Sequence, residues 1–137
     1  MADTTPSQVV VESGRTEQIV LGTGGVSSIG QPLLRRDPTT GKYILADADD
    51  TAAAAMVICV ALETGAADAT IGVAMPGSLL DLGAVLTIGE AYALSQTAGS
   101  FTLHSNLVTD DYVTFLGLAK TTSLLLLSVV ISGVQVP

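Results

Sequence analysis

Short apolar runs, each broken by turn residues within about a dozen positions, set the pattern of this chain. From Gly89 to His104 the sequence reads Gly-Glu-Ala-Tyr-Ala-Leu-Ser-Gln-Thr-Ala-Gly-Ser-Phe-Thr-Leu-His. Two apolar runs flank the turn-forming residues 95–99, which predicts a β-hairpin. An earlier stretch repeats the plan: Gly30-Gln-Pro-Leu-Leu, a polar turn ending at Gly41, then Lys-Tyr-Ile-Leu-Ala. Tyr43 and Leu45 follow the first turn glycine by two and four residues, as Phe101 and Leu103 follow Gly99. Side chains two apart share a face of a strand, so both copies carry strand spacing.

The echo extends past the hairpins. Gly41 and Gly99 are 58 residues apart, as are Ile58 and Leu116. This similarity points to a degenerate internal duplication covering 30–77 and 89–133. Chance likeness within a Gly-rich β chain is the other reading.

Elsewhere the runs are equally short. Residues 1–8 offer nothing to bury and read as a mobile arm, so residues 1–18 are expected to form a flexible N-terminal arm with a first strand. Residues 19–137 then make a single β-rich domain. The segment 47–55, Asp-Ala-Asp-Asp-Thr followed by alanines, is the one stretch with a helical look, and it is read as a short helix or a loop. Thr70-Ile-Gly-Val-Ala-Met predicts a strand turned by Pro76-Gly77. Leu79 to Ile88 predicts a bent strand, or a loop followed by a short strand. In Tyr112 to Ala119, the residues Val113, Phe115 and Gly117 are expected to share one face. The continuous apolar run Leu124 to Ile131 predicts a central strand. The fold class is therefore mainly β, an antiparallel β-sandwich or partly open barrel.

Composition sharpens this picture. The chain has 137 residues, enough for one core. Apolar residues make up 48% and charged ones only 13%, about half the usual share of a soluble domain, and the mean hydropathy is +0.58. So few charges cover a lone exterior poorly, which implies surface buried against copies or a larger partner. The uncharged runs 52–62 and 121–137 span 11 and 17 residues, short of the roughly 20 of a membrane helix. The N-terminus lacks the basic and apolar regions of a secretory signal, so a soluble protein made in the cytoplasm is expected. A formal charge of −8 repels phosphate backbones and argues against nucleic acid as a partner.

Candidate chemistry is sparse. His104 is the sole imidazole and is expected to be solvated at the end of a hairpin; pairing it with Ser95, Ser100 or Cys59 lacks any nucleophile context. Cys59, the single cysteine, lies in Met-Val-Ile-Cys-Val-Ala-Leu and is expected to be buried and inert. Asp47, Asp49 and Asp50 lack the central glycine and later glutamate of a calcium loop. Gly22-Thr-Gly-Gly25 lacks the Lys-Ser/Thr pair of a phosphate cradle. No catalytic residue, cofactor, metal or small-molecule substrate is expected, and the chain is not expected to be an enzyme.

A set of short motifs, spread over 30–137, carries a resemblance. Gly30-Gln-Pro, Thr40-Gly-Lys-Tyr, Leu45-Ala-Asp-Ala-Asp, the alanine run into Val-Ala-Leu, Gly-x-x-Tyr-x-Leu-Ser from Gly89, Thr97-Ala-Gly, Asp111-Tyr-Val-Thr-Phe-Leu-Gly-Leu-Ala and Ser132-Gly-Val-x-Val-Pro together resemble the capsid decoration (cement) proteins of tailed phages. Cys59 departs from the pattern where glycine is expected, which bears on local packing more than on role. The resemblance implies a non-enzymatic virion protein on the outer capsid surface. It would be bound to the major capsid protein, often as a homotrimer, and would stabilise the shell by bridging neighbouring subunits. On that reading the capsid-interface candidates are the docking segment with Thr4, Thr5, Gln8, Val9 and Val11, and the cations Arg15, Arg35 and Arg36. The alternative is a phage tail or fibre-associated module recognising host glycan, which usually displays aromatic side chains. Here there are three Tyr, two Phe and no Trp, and Tyr43, Tyr92, Phe101 and Phe115 fit core positions.

Overall fold

The computed structural model describes residues 3–26, 31–48, 51 and 54–137. Its first six strands are β1 (Val10–Ser13), β2 (Thr16–Val20), β3 (Leu33–Arg36), β4 (Tyr43–Leu45), β5 (Cys59–Ala61) and β6 (Thr70–Ala74). Then follow β7 (Leu79–Asp81), β8 (Ala91–Leu94), β9 (Phe101–Leu103), β10 (Tyr112–Ala119) and β11 (Leu124–Gln135). They form two antiparallel sheets in a sandwich-like arrangement that does not close into a barrel: β1-β7-β11-β10-β8-β9 (sheet A) and β2-β6-β5-β3-β4 (sheet B).

The predicted hairpins are β3–β4 and β8–β9. The first pairs Leu34 with Leu45 and the second pairs Leu94 with Phe101. Their surroundings correspond as well. Reading inward from β4, sheet B runs β3, β5, β6, β2; reading inward from β9, sheet A runs β8, β10, β11, β7, with β1 added at the far side. The sequence echo thus falls on strands that occupy equivalent places in the two sheets. What differs is length: β5 and β6 have three and five residues, β10 and β11 eight and twelve.

Strand alternation builds the core. Leu33, Val60 and Ala74 of sheet B face Leu80, Tyr92, Leu94, Phe101, Leu116, Leu125 and Leu127 of sheet A, all buried. The Tyr92 hydroxyl, buried with its ring, accepts the Thr87 N–H at 2.8 Å, which offsets the cost of desolvating it. Sheet B carries a second apolar cluster on its other face: Leu34, Cys59, Ala61, Ile71 and Val73, covered by Leu21 and Val26. The residues 21–26 and 65–69 are fastened there by Leu21 N–H to Ala69 O and Val26 N–H to Gly65 O, both 2.9 Å.

Several expectations are corrected. Of the residues 1–8 expected to form a mobile arm, 3–8 are described, and they lie against the body. Thr4 N–H bonds Phe101 O at 2.9 Å and Ser7 N–H bonds Leu82 O at 3.0 Å, the Asp3 carboxylate accepts the Ser95 hydroxyl, and Val9 is buried in the core. The segment 1–8 therefore has something to bury after all: Pro6 is buried, and the Phe101 and Leu82 carbonyls take up the Thr4 and Ser7 N–H groups beside it. Val113, Phe115 and Gly117 do not share a face. A register shift between Phe115 and Gly117 puts Phe115 opposite Ala93, which is buried but lies on the face of β8 away from the main core, and Gly117 opposite Tyr92 in that core, as a β-bulge does. In the segment 47–55, residues 49, 50, 52 and 53 lie outside the described residues. Of the others, Ala54 and Ala55 lie in a turn, with Ala55 N–H on Thr51 O at 3.2 Å and Ala54 N–H on Thr51 Oγ1 at 3.0 Å. The single helical element among the described residues is a 3-10 turn, His104–Asn106.

Candidate assembly interface

The outer face of sheet A, away from the core, is where the fold leaves apolar surface uncovered. Leu79 lies opposite Leu126, Leu126 opposite Leu118, and Leu118 opposite Ala91. Directly opposed residues share a face, so these four make one stripe across β7, β11, β10 and β8. In the neighbouring row Val130 opposes Phe115. Leu126, Leu118 and Val130 are 40%, 51% and 56% exposed. Sheet B, built in the same strand order, hides its outer apolar residues beneath 21–26; no such cover lies over the Leu118 stripe among the described residues. Complete burial of a fully exposed side chain of this size contributes about 1.5–3 kcal/mol; with Leu118 and Leu126 about half exposed and Leu79 and Ala91 already half-buried, covering the stripe is worth about one or two such contributions.

Past Leu127 the apolar surface continues along β11. Its pairing with β7 covers only Leu124–Leu126, and the Pro76-Gly77-Ser78 turn reaches one residue further through Gly77 N–H to Leu127 O at 2.7 Å. From Ser128 to Gln135 the strand pairs with β10 alone. Ile131 and Val134 here are 40% and 63% exposed.

Charge is distributed elsewhere. No Asp, Glu, Lys, Arg or His occurs from Thr121 to Pro137. The two ion pairs among the described residues, Arg15–Glu17 at 3.1 Å and Lys42–Asp68 at 2.6 Å, are exposed and lie on or beside sheet B. Asp81, opposite Leu124 and Val10, marks the charged margin of the stripe and is held by accepting Gly83 N–H at 2.9 Å.

The residues proposed from sequence as capsid contacts are dispersed. Thr4 is half-buried by its bridge to Phe101, and Thr5 and Gln8 are exposed beside it. The Val9 side chain is spent in the core, and Val11 packs against that core from β1, opposite Leu80. Arg15, exposed, sits at the β1–β2 junction, tied through its backbone to Ser78 Oγ at 3.2 Å. Arg35 and Arg36 point to opposite faces of β3, as successive strand residues must. They lie at the same end of sheet B as Arg15 but three strands away, roughly 14 Å at ordinary strand spacing. Arg36 is exposed; Arg35 is half-buried, with its Nε lacking a hydrogen-bond partner. The three arginines therefore form no single patch.

The chemical candidates are also kept apart. His104 is exposed on the 3-10 turn, at the other end of the β8–β9 hairpin from Ser95 and Ser100. Ser95 Oγ donates to Asp3 and accepts Thr97 N–H at 3.0 Å, which is a turn and arm-holding role. Cys59 is buried in the outer cluster of sheet B; burial, and secondarily the Glu17 charge, push its thiol up from about 9 to about 12, so at neutral pH it is protonated and a poor nucleophile. Among the described residues, no three of His, Cys, Asp and Glu come together as a cation site.

The sequence reading missed the Leu118 stripe. Its signal was present in the leucines at 79, 118, 124 and 126, but which of them faces outward depends on strand register and on the bulge in β10. Comparison with protein families, with curated proteins and with solved structures returns no match. The fold and the uncovered face together define a class: a two-sheet antiparallel β protein with exposed apolar residues on one flank.

Proposed function

We propose that the chain is a structural virion protein that binds the outer surface of a phage capsid and stabilises it by bridging neighbouring major capsid protein subunits. The observation that carries this reading is the stripe Leu79–Leu126–Leu118–Ala91, its central leucines exposed and its ends half-buried, apolar surface that a partner would finish burying. The motif resemblance from Gly30 to Pro137 supplies the kind of partner.

The stripe gives the reading a mechanism. Each copy seated across a subunit boundary buries area that the bare shell lacks, and a partner that binds only the assembled state stabilises it by mass action. Many copies on one shell multiply the effect. The acidic exterior stays in solvent, while the Leu118 stripe makes the contact.

Mixing the purified protein with undecorated capsids tests this directly. The protein should sediment with the shell, and the double variant L118E/L126E should stay in the supernatant while keeping the wild-type circular dichroism spectrum. Failure of the wild type to sediment with shells would refute the proposal.

A further inference from the structure

We infer that the free edge of β11, Ser128–Gln135, is a self-association surface at which a second copy of this chain packs about a two-fold axis. The inference concerns the chain alone and holds whether or not a capsid is its partner.

The other strand edges are closed or guarded. On β9, Thr4 N–H bonds Phe101 O. On β4, the bridge Leu21–Tyr43 and the bond from Gly22 N–H to Tyr43 O at 2.8 Å occupy the edge. β1 carries exposed Glu12 and a register shift between Val11 and Ser13, and β2 carries the Arg15–Glu17 pair. Charges at an edge discourage pairing with another chain, and a bulge shortens any ladder there, on β11 as on β1. The edge of β11 lacks charge altogether, and it exposes Val130, Ile131 and Val134 on both faces.

A second copy is the occupant this edge suits. A two-fold contact sets a patch against itself, so whatever charge the patch holds meets its like. In a chain of net charge −8, most surfaces would bring carboxylates together; the segment 121–137 brings none. An edge strand beside its own copy about a two-fold runs antiparallel, the arrangement that ladder pairing accepts. Register shifts facing Tyr112–Thr114 and Phe115–Gly117 keep any added ladder short, so side-chain burial supplies most of the contact. This is a different assembly from the trimer that the family resemblance implies.

Sedimentation velocity of the full chain, at micromolar concentration in about 0.15 M and about 1 M sodium chloride, tests the inference. The wild type should be a dimer or an even-numbered multiple, and it should associate more tightly at high salt, because screening removes the repulsion between two acidic bodies. The variant V130E/V134E should weaken association at least about tenfold, as loss of central contacts does. Ile88→Glu, a like change at an exposed loop position, should leave association unchanged. If the double variant misfolds by circular dichroism, amide exchange of the wild type decides instead: 129–134 should gain protection as concentration rises. A monomer at both salts, a trimer, an undiminished V130E/V134E dimer or concentration-independent exchange would each overturn it. A dimer that ignores shells would retain this inference and sink the capsid proposal; a monomer that binds shells would do the reverse.

Discussion

Leu118 of β10 and Leu126 of β11 face each other on the outer side of sheet A, each with about half its side chain in water. Both leucines sit in regular strand, so they cost the isolated fold little to replace. Changing both to threonine, which keeps β propensity, should shift unfolding free energy by no more than about 1 kcal/mol. Binding of a dye that reports exposed apolar surface should fall. Denaturant titration and dye fluorescence check the two halves of this expectation.

Val9 connects the arm to the body. Truncating Val9→Ala removes buried methyls from the main cluster and should cost about 1–3 kcal/mol. Deleting residues 1–11 should cost more, since it also strips β1 from β7 and uncovers Leu80. Thermal unfolding of both variants measures this. A deletion that melts like the wild type would show that the arm is dispensable to the fold.

Gly41 and Gly99 occupy corresponding turns and share a φ of +74°, a region where a side chain costs about 1–2 kcal/mol. Their surroundings differ. A Cβ at 41 would meet only the mobile end of Arg36, at 3.2 Å, whereas one at 99 would meet Leu45 and Gln31 at 2.9 Å, the latter also through its carbonyl at 3.0 Å. Gly41→Ala should therefore cost about the backbone term alone, and Gly99→Ala distinctly more. Chemical denaturation of the pair gives the difference.

The Cys59 thiol has a titration consequence. Its pKa in the folded chain is raised from about 9 to about 12, so the unfolded state loses this proton first. The stability tied to Cys59 is intact below about pH 9 and is lost as pH climbs towards 12, by up to about 1.4 kcal/mol per unit. The wild type should lose stability over that window more steeply than Cys59→Ala. At pH 8 the native thiol should react with alkylating reagent only as fast as the protein unfolds.

Much of the fold was legible in the residue pattern. Polar turns ending at Gly41 and Gly99 announced two hairpins, since glycine takes that φ at no steric cost, and the 58-residue echo marked strands that hold equivalent places in two sheets. The arm was misjudged because a polar segment with one proline looks solvent-bound until the Phe101 and Leu82 carbonyls, brought close by the fold, take its Thr4 and Ser7 N–H groups. The candidate interface was hidden for a related reason. Composition revealed too little charge for a wet exterior, but not where the excess lay.

Sequence by itself determined the β class, the turn positions, the buried thiol and an uncharged final run of 17 residues. Only the tertiary structure decided that sheet B would be roofed by its own loops and sheet A left open along the Leu118 stripe, and that β11 would run nine residues beyond its pairing with β7. Hydrophobicity and turn chemistry are written residue by residue. The exposure of a leucine, by contrast, depends on which distant strand lies opposite it and on a bulge that moves every later side chain to the other face.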